Sequence, residues 1–138
     1  MADIICNTSP LQYLHQLEQL EILQQLCEEI IVPIAVVDEL RVGRENGIDV
    51  PDPENIDWIN IRTPKSTAVL PLVRDLGKGE TEVLALALEI SNATVILDDK
   101  LARQVAESLS IPLTGTLGIL IQAKNKGFIT EIKPLLEQ

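Results

Sequence analysis

The run Val95-Ile96-Leu97-Asp98 passes directly into Asp99-Lys100-Leu101-Ala102-Arg103, an apolar strand that delivers two adjacent carboxylates to the start of a helix. Neighbouring anions repel, so the placement calls for a cation or for hydrogen-bond donors. One helix N-cap would account for one aspartate, at ~1 kcal/mol, and leaves the other to be explained. Carboxylate oxygens are the usual ligands of hard cations such as Mg²⁺. The carboxyl ends of strands in open α/β sheets are where such folds take ligands. The chemistry this suggests is the binding of a hard divalent cation.

Helical phase sorts the remaining acids. Between Gly79 and Ser91, the residues Val83, Leu84, Ala87 and Ile90 make an apolar stripe at helical spacing. Glu80 falls on that face in the first turn, where it either complements the helix dipole or serves a site. Glu82 and Glu89 are expected to face water. In the helix opened by Pro33, Ile34, Val37 and Leu40 set the core direction, and Asp38 and Glu39 lie on opposite flanks that periodicity does not separate. Thr114 and Thr116 bring hydroxyls to the same predicted sheet edge as loop and cap residues. His15 is the single histidine, set among Gln and Leu in a predicted helix, so histidine-dependent catalysis has little to work with.

Short apolar runs alternate with amphipathic segments, a pattern of βαβ units and a parallel sheet. Strands are expected at Asp3–Cys6, Ile30–Val32, Trp58–Arg62, Thr94–Leu97 and Ile111–Leu113. The predicted helices begin with Leu11 to about Cys27, in one or two pieces, with Ser9 as N-cap and Pro10 at the first helical position. Others cover Ile34 to Val42, Ser66 to Leu76, Gly79 to Ser91, Asp99 to Leu109 and Thr116 to Lys126. Gly43 to Asn55 reads as a long irregular segment, and Ile132 to Leu136 as a last turn.

With 138 residues the chain fits a single domain over 1–138. Tyr13, Trp58 and Phe128 are its only aromatics, so the core must be aliphatic. No apolar run reaches the ~20 residues that span a bilayer, and no basic segment followed by an apolar one opens the chain. Cys6 and Cys27 match no metal or redox spacing and read as two buried thiols, which sets a reducing cytoplasm as the default. The formal charge of −10 excludes a general polyanion binder, because phosphate affinity comes from Lys and Arg. An acidic metal site that inverts the local field remains compatible with it.

Taken in order, five segments resemble the PIN domain, the fold of many prokaryotic toxin-type ribonucleases, and more closely a subgroup with an N-T-S-P opening. They are Ile4-Ile5-Cys6-Asn7-Thr8-Ser9-Pro10-Leu11, Pro33-Ile34-Ala35-Val36-Val37-Asp38-Glu39-Leu40, Leu76-Gly77-Lys78-Gly79-Glu80-Thr81-Glu82, Leu97-Asp98-Asp99-Lys100-Leu101-Ala102-Arg103 and Thr114-Gly115-Thr116-Leu117-Gly118-Ile119-Leu120. The resemblance implies a three-layer α/β/α fold with a parallel sheet of four to five short strands. It also implies a metal-dependent ribonuclease, with Mg²⁺ or Mn²⁺ held by acids at the sheet's C-terminal edge. By position the cluster falls on Asn7, Glu39, Glu80 and Asp98 or Asp99, with Glu82 second to Glu80. That choice selects Glu39 over Asp38. RNA is the implied substrate, a small antitoxin protein the implied partner, and Lys78, Lys100 and Arg103 the bases nearest to incoming phosphates.

The departure from the family is Asn7, where an aspartate usually closes the first strand. An amide oxygen can ligate Mg²⁺ but brings no charge and is no base. A catalytically degenerate, protein-binding module is therefore the second reading. A phosphoacceptor receiver domain is the third, and it lacks its acid pair, since the first strand closes with Asn7. The helices around Leu11–Leu26 offer the seam for a homodimer.

Overall fold

A computed structural model of the chain describes residues 3–66 and 76–130. Five strands, β1 (Asp3–Cys6), β2 (Ile30–Pro33), β3 (Ile59–Arg62), β4 (Ala93–Ile96) and β5 (Leu113–Thr114), form one parallel sheet in the order β3-β2-β1-β4-β5. The helices α1 (Thr8–Gln16), α2 (Ile22–Cys27), α3 (Ile34–Glu45), α4 (Lys78–Glu89), α5 (Lys100–Ser108) and α6 (Thr116–Asn125) cover it as an α/β/α sandwich. No helix among the described residues is long and apolar enough to cross a membrane.

Topology fixes where a site can form. From β1 the chain moves to β2 and then β3 on one side; it returns through α4 to β4, on the other side of β1, and continues to β5. The connections leaving β1 and β4 therefore diverge, and a crevice opens between their C-terminal ends. Asn7 and Asp98 stand at its two lips. The register sets them one residue apart in height, since Cys6 pairs with Ile96 and Asn7 N–H donates to Ile96 O at 3.1 Å.

The core is aliphatic, as the scarcity of aromatics requires. Ile5, Leu11, Leu14, Leu23, Val36, Leu40, Leu84, Ile96, Leu97 and Leu120 have essentially no exposed surface. Each such side chain contributes about 1.5–3 kcal/mol by leaving water. α4 runs through the middle of this core, with every residue from Glu82 to Ala87 buried.

Several local expectations change. α1 begins at Thr8 with Asn7 as its N-cap instead of Ser9. Pro10 still sits in the first turn, where its missing N–H removes no helical bond. α3 continues past Gly43 to Glu45, because Arg44 anchors on Pro51 O (2.8 Å) and Gly43 packs against Val50. The irregular segment is correspondingly shorter and contains a 3-10 turn at Pro53–Asn55, capped by Asp52. β5 is displaced to Leu113–Thr114, since Leu97 N–H bonds to Thr114 O. Cys27 is only half-buried. The body of the helix expected over 66–76, residues 67–75, and the turn over 132–136 lie outside the described residues.

Candidate active site at the sheet's C-terminal edge

Asn7 leaves β1 with 4% of its surface exposed, and its side chain does not cap α1. Its Oδ1 is buried without a hydrogen-bond partner. Directly behind it, burial pushes the Cys6 thiol well above its ordinary pKa, with the Asp98 and Cys27 charges adding to the effect.

Glu39 rises from the second turn of α3 and accepts a hydrogen bond from the Thr8 hydroxyl at 2.6 Å. Its carboxylate lies over Gly79, in the space a Cβ there would occupy. Glycine at this helical position leaves the room that the end of the Glu39 side chain occupies. A side chain would evict Glu39 and press Val36, whose Cγ2 would lie 3.2 Å from the added carbon.

Glu80 is the third residue of α4. Its Oε1 accepts the Gly77 N–H at 3.0 Å, closing the helix N-terminus, while Oε2 is buried with no donor. Burial raises the Glu80 pKa; the Gly77 hydrogen bond opposes the shift, and the nearby Asp99 and Glu39 charges reinforce it. The Asp99 carboxylate acts on Glu80 from nearby, and a proton or a cation relieves such repulsion between neighbouring carboxylates.

The adjacent aspartates divide their tasks. Asp98 is satisfied at both oxygens by Thr116, whose backbone N–H reaches Oδ1 at 2.8 Å and whose hydroxyl reaches Oδ2 at 2.5 Å. Asp99 caps α5 through Oδ2 and Ala102 N–H at 2.9 Å, and its side chain is exposed at the crevice mouth. Arg103 turns back to donate from Nη1 to Leu97 O at 3.0 Å. Gly115 fits between them, where a Cβ would come within 2.7 Å of Arg103 and 2.8 Å of Asp98.

The chain therefore brings Glu39 and Asp99 close enough to act on Glu80, and sets Asn7 and Asp98 on the same edge. Among the described residues, no three acidic, histidine or cysteine side chains converge into a closed ligating group. The two donor-less oxygens, Asn7 Oδ1 and Glu80 Oε2, are both hard ligands of the kind Mg²⁺ and Mn²⁺ take. Glu82 does not join them. It is 8% exposed, and its Oε1 accepts Ala35 N–H at 2.9 Å, capping α3. The expectation that it faces water fails because α4 has no solvent face at that level. Thr116 was readable only as a loop or cap residue and Thr8 carried no separate signal; their partners lie 18 and 31 positions away.

A PIN-domain family model matches residues 3–138. The chain is a PIN domain. A search among curated proteins returns no match. PIN domains are a nuclease-type family that generally works with divalent metals. In this PIN domain the residue that closes β1 at the C-terminal crevice is an amide, Asn7.

Proposed function

We propose that this PIN domain is a metal-dependent endoribonuclease that hydrolyses RNA phosphodiesters at the crevice between β1 and β4. The observation that carries the reading is the pair of buried oxygens without donors, Asn7 Oδ1 and Glu80 Oε2, beside carboxylates that repel one another. Unsatisfied buried polar atoms cost about 1–3 kcal/mol each, and a hard cation would satisfy both. Asn7, Glu80 and Asp99 would hold Mg²⁺ or Mn²⁺, with Glu39 close by through Thr8. When bound, the metal supplies an activated water and neutralises charge on the attacked phosphate. Asp98 acts through Thr116, fixing the β4 exit and the start of α6 so that Asp99 is presented to the crevice. Arg103, pinned by Leu97 O, sets a cation where the substrate backbone would arrive.

RNA cleavage with Mn²⁺ tests the reading, with the Asp99→Ala variant as control. We expect activity to fall by at least about 100-fold in the variant, the scale on which well-placed polar groups act. Equal activity would remove the mechanism. Asn7→Asp should bind Mn²⁺ more tightly in calorimetry, because it restores an anion to the cluster.

A second reading is favoured by Asn7 and by the engagement of both Asp98 oxygens: a domain that keeps the fold and binds protein without chemistry. No saturable Mn²⁺ binding in either the wild type or Asn7→Asp would support it. In either case a small antitoxin-like protein placing basic residues over the acidic crevice suits the charge, and free thiols at Cys6 and Cys27 suit a cytoplasmic setting.

A further inference from the structure

Every strand of the parallel sheet starts at the edge opposite the crevice, and a second concavity opens there. It holds about 440 Å³ and is lined by His15, Glu18, Leu20, Glu21, Ile56 and Trp58. The floor is apolar: Leu20, Ile56 and Trp58 are half-buried against the core. Trp58 is fixed by its backbone, since its carbonyl accepts Ile30 N–H at 3.1 Å as β3 begins. The rim is acidic. Glu18 and Glu21 border it from the turn between α1 and α2, and His15, which lines it as well, is bonded through Nε2 to Asp49 at 3.0 Å. Among the described residues no lysine or arginine lines it.

An indole floor under a carboxylate rim is complementary to one kind of side chain. A guanidinium stacks flat on an indole face while its edges fork onto carboxylates, which an ammonium cannot do. Phosphate is repelled by the same rim, so this surface does not extend the RNA path. We propose that the groove docks a basic segment of a partner protein, with an arginine laid on Trp58 and its guanidinium held by Glu18 and Glu21, flanking apolar residues covering Leu20 and Ile56. The inference does not rest on nuclease activity, because the crevice and the groove lie at opposite ends of the strands.

Trp58 is the sole tryptophan, so its emission reports on this surface alone. A synthetic peptide of alternating arginine and leucine is titrated into the full chain at moderate salt. We expect a saturable change in emission and affinity weakened about two- to fivefold in Glu21→Gln, the range an exposed ion pair contributes. Glu21 is exposed, so the variant keeps its fold. Glu107→Gln removes the same charge from the exposed side of α5 and should leave affinity unchanged, as should Asp99→Asn at the crevice. Three outcomes overturn the proposal: no saturable change, an equal loss in Glu21→Gln and Glu107→Gln, or a loss in Asp99→Asn. The second would mean diffuse attraction to a chain of charge −10, and the third would assign the peptide to the crevice.

Discussion

Glu80 is the residue with the clearest internal conflict: one oxygen is satisfied by Gly77, while the other is buried without a donor beside Asp99. Its folded-state pKa lies above the unfolded value, so its protonated form favours folding. That contribution is complete below the unfolded pKa and is lost as pH rises through the raised folded value. We therefore expect Glu80→Gln to melt above the wild type at pH 7 without divalent metal, and the gap to close as pH falls toward 4. Thermal unfolding across that range checks it, and a constant gap would contradict the assignment. Gly79→Ala addresses the neighbouring constraint. The added methyl displaces the end of a flexible Glu39 side chain, so stability should change by less than about 1 kcal/mol, comparable to the propensity gain of alanine in a helix. Mn²⁺ affinity should nevertheless fall, because Glu39 leaves Thr8. At this scale the sequence showed Asp99, Glu39 and Glu80, whose types and order are local. It hid Thr8–Glu39 and Asp98–Thr116, because a hydrogen bond across 31 or 18 residues leaves no periodic trace.

Among the elements, α4 is the one that sequence patterning misdescribes. Phase reasoning assumes that a helix has one wet side, and α4 packs on α3 as well as on β1, β2 and β4. Glu82 consequently points into protein and finds the Ala35 N–H, a helix-start donor that α3 cannot satisfy from its own N-cap, Pro33. The bond joins the N-terminal ends of the two helices that carry Glu39 and Glu80. Glu82→Ala should lower stability by about 1–3 kcal/mol, since it strands a buried donor, whereas Glu82→Gln keeps an acceptor and should lose less. Urea denaturation of the two variants separates the readings; equal small losses would show the cap to be immaterial. The strands were far more legible. β1 and β4 are short apolar runs ending in polar residues, and parallel strands buried on both faces look the same wherever they sit in a sheet.

For the molecule as a whole, alternating apolar runs and amphipathic helices announced a parallel α/β sandwich, and the aliphatic core followed from three aromatics in 138 residues. What the sequence could not convey was distance: the closeness of Glu39, Glu80 and Asp99 arises from crossovers that bring α3, α4 and α5 to one edge. The two cysteines can follow that arrangement in solution. Cys27 is half-buried and should react with a thiol reagent from the native state, although burial also raises its pKa. Cys6 is fully buried at the end of the central strand, and its thiol resists ionisation through burial first and then the Asp98 charge. Its modification has to wait for the layer covering that face of the sheet to open, so the second, slower phase of labelling should track local opening at the crevice end of β1. Divalent cation should lengthen that phase and leave the first untouched. A sulfur with no assigned task thereby becomes a stopwatch for the breathing of the core beneath the crevice.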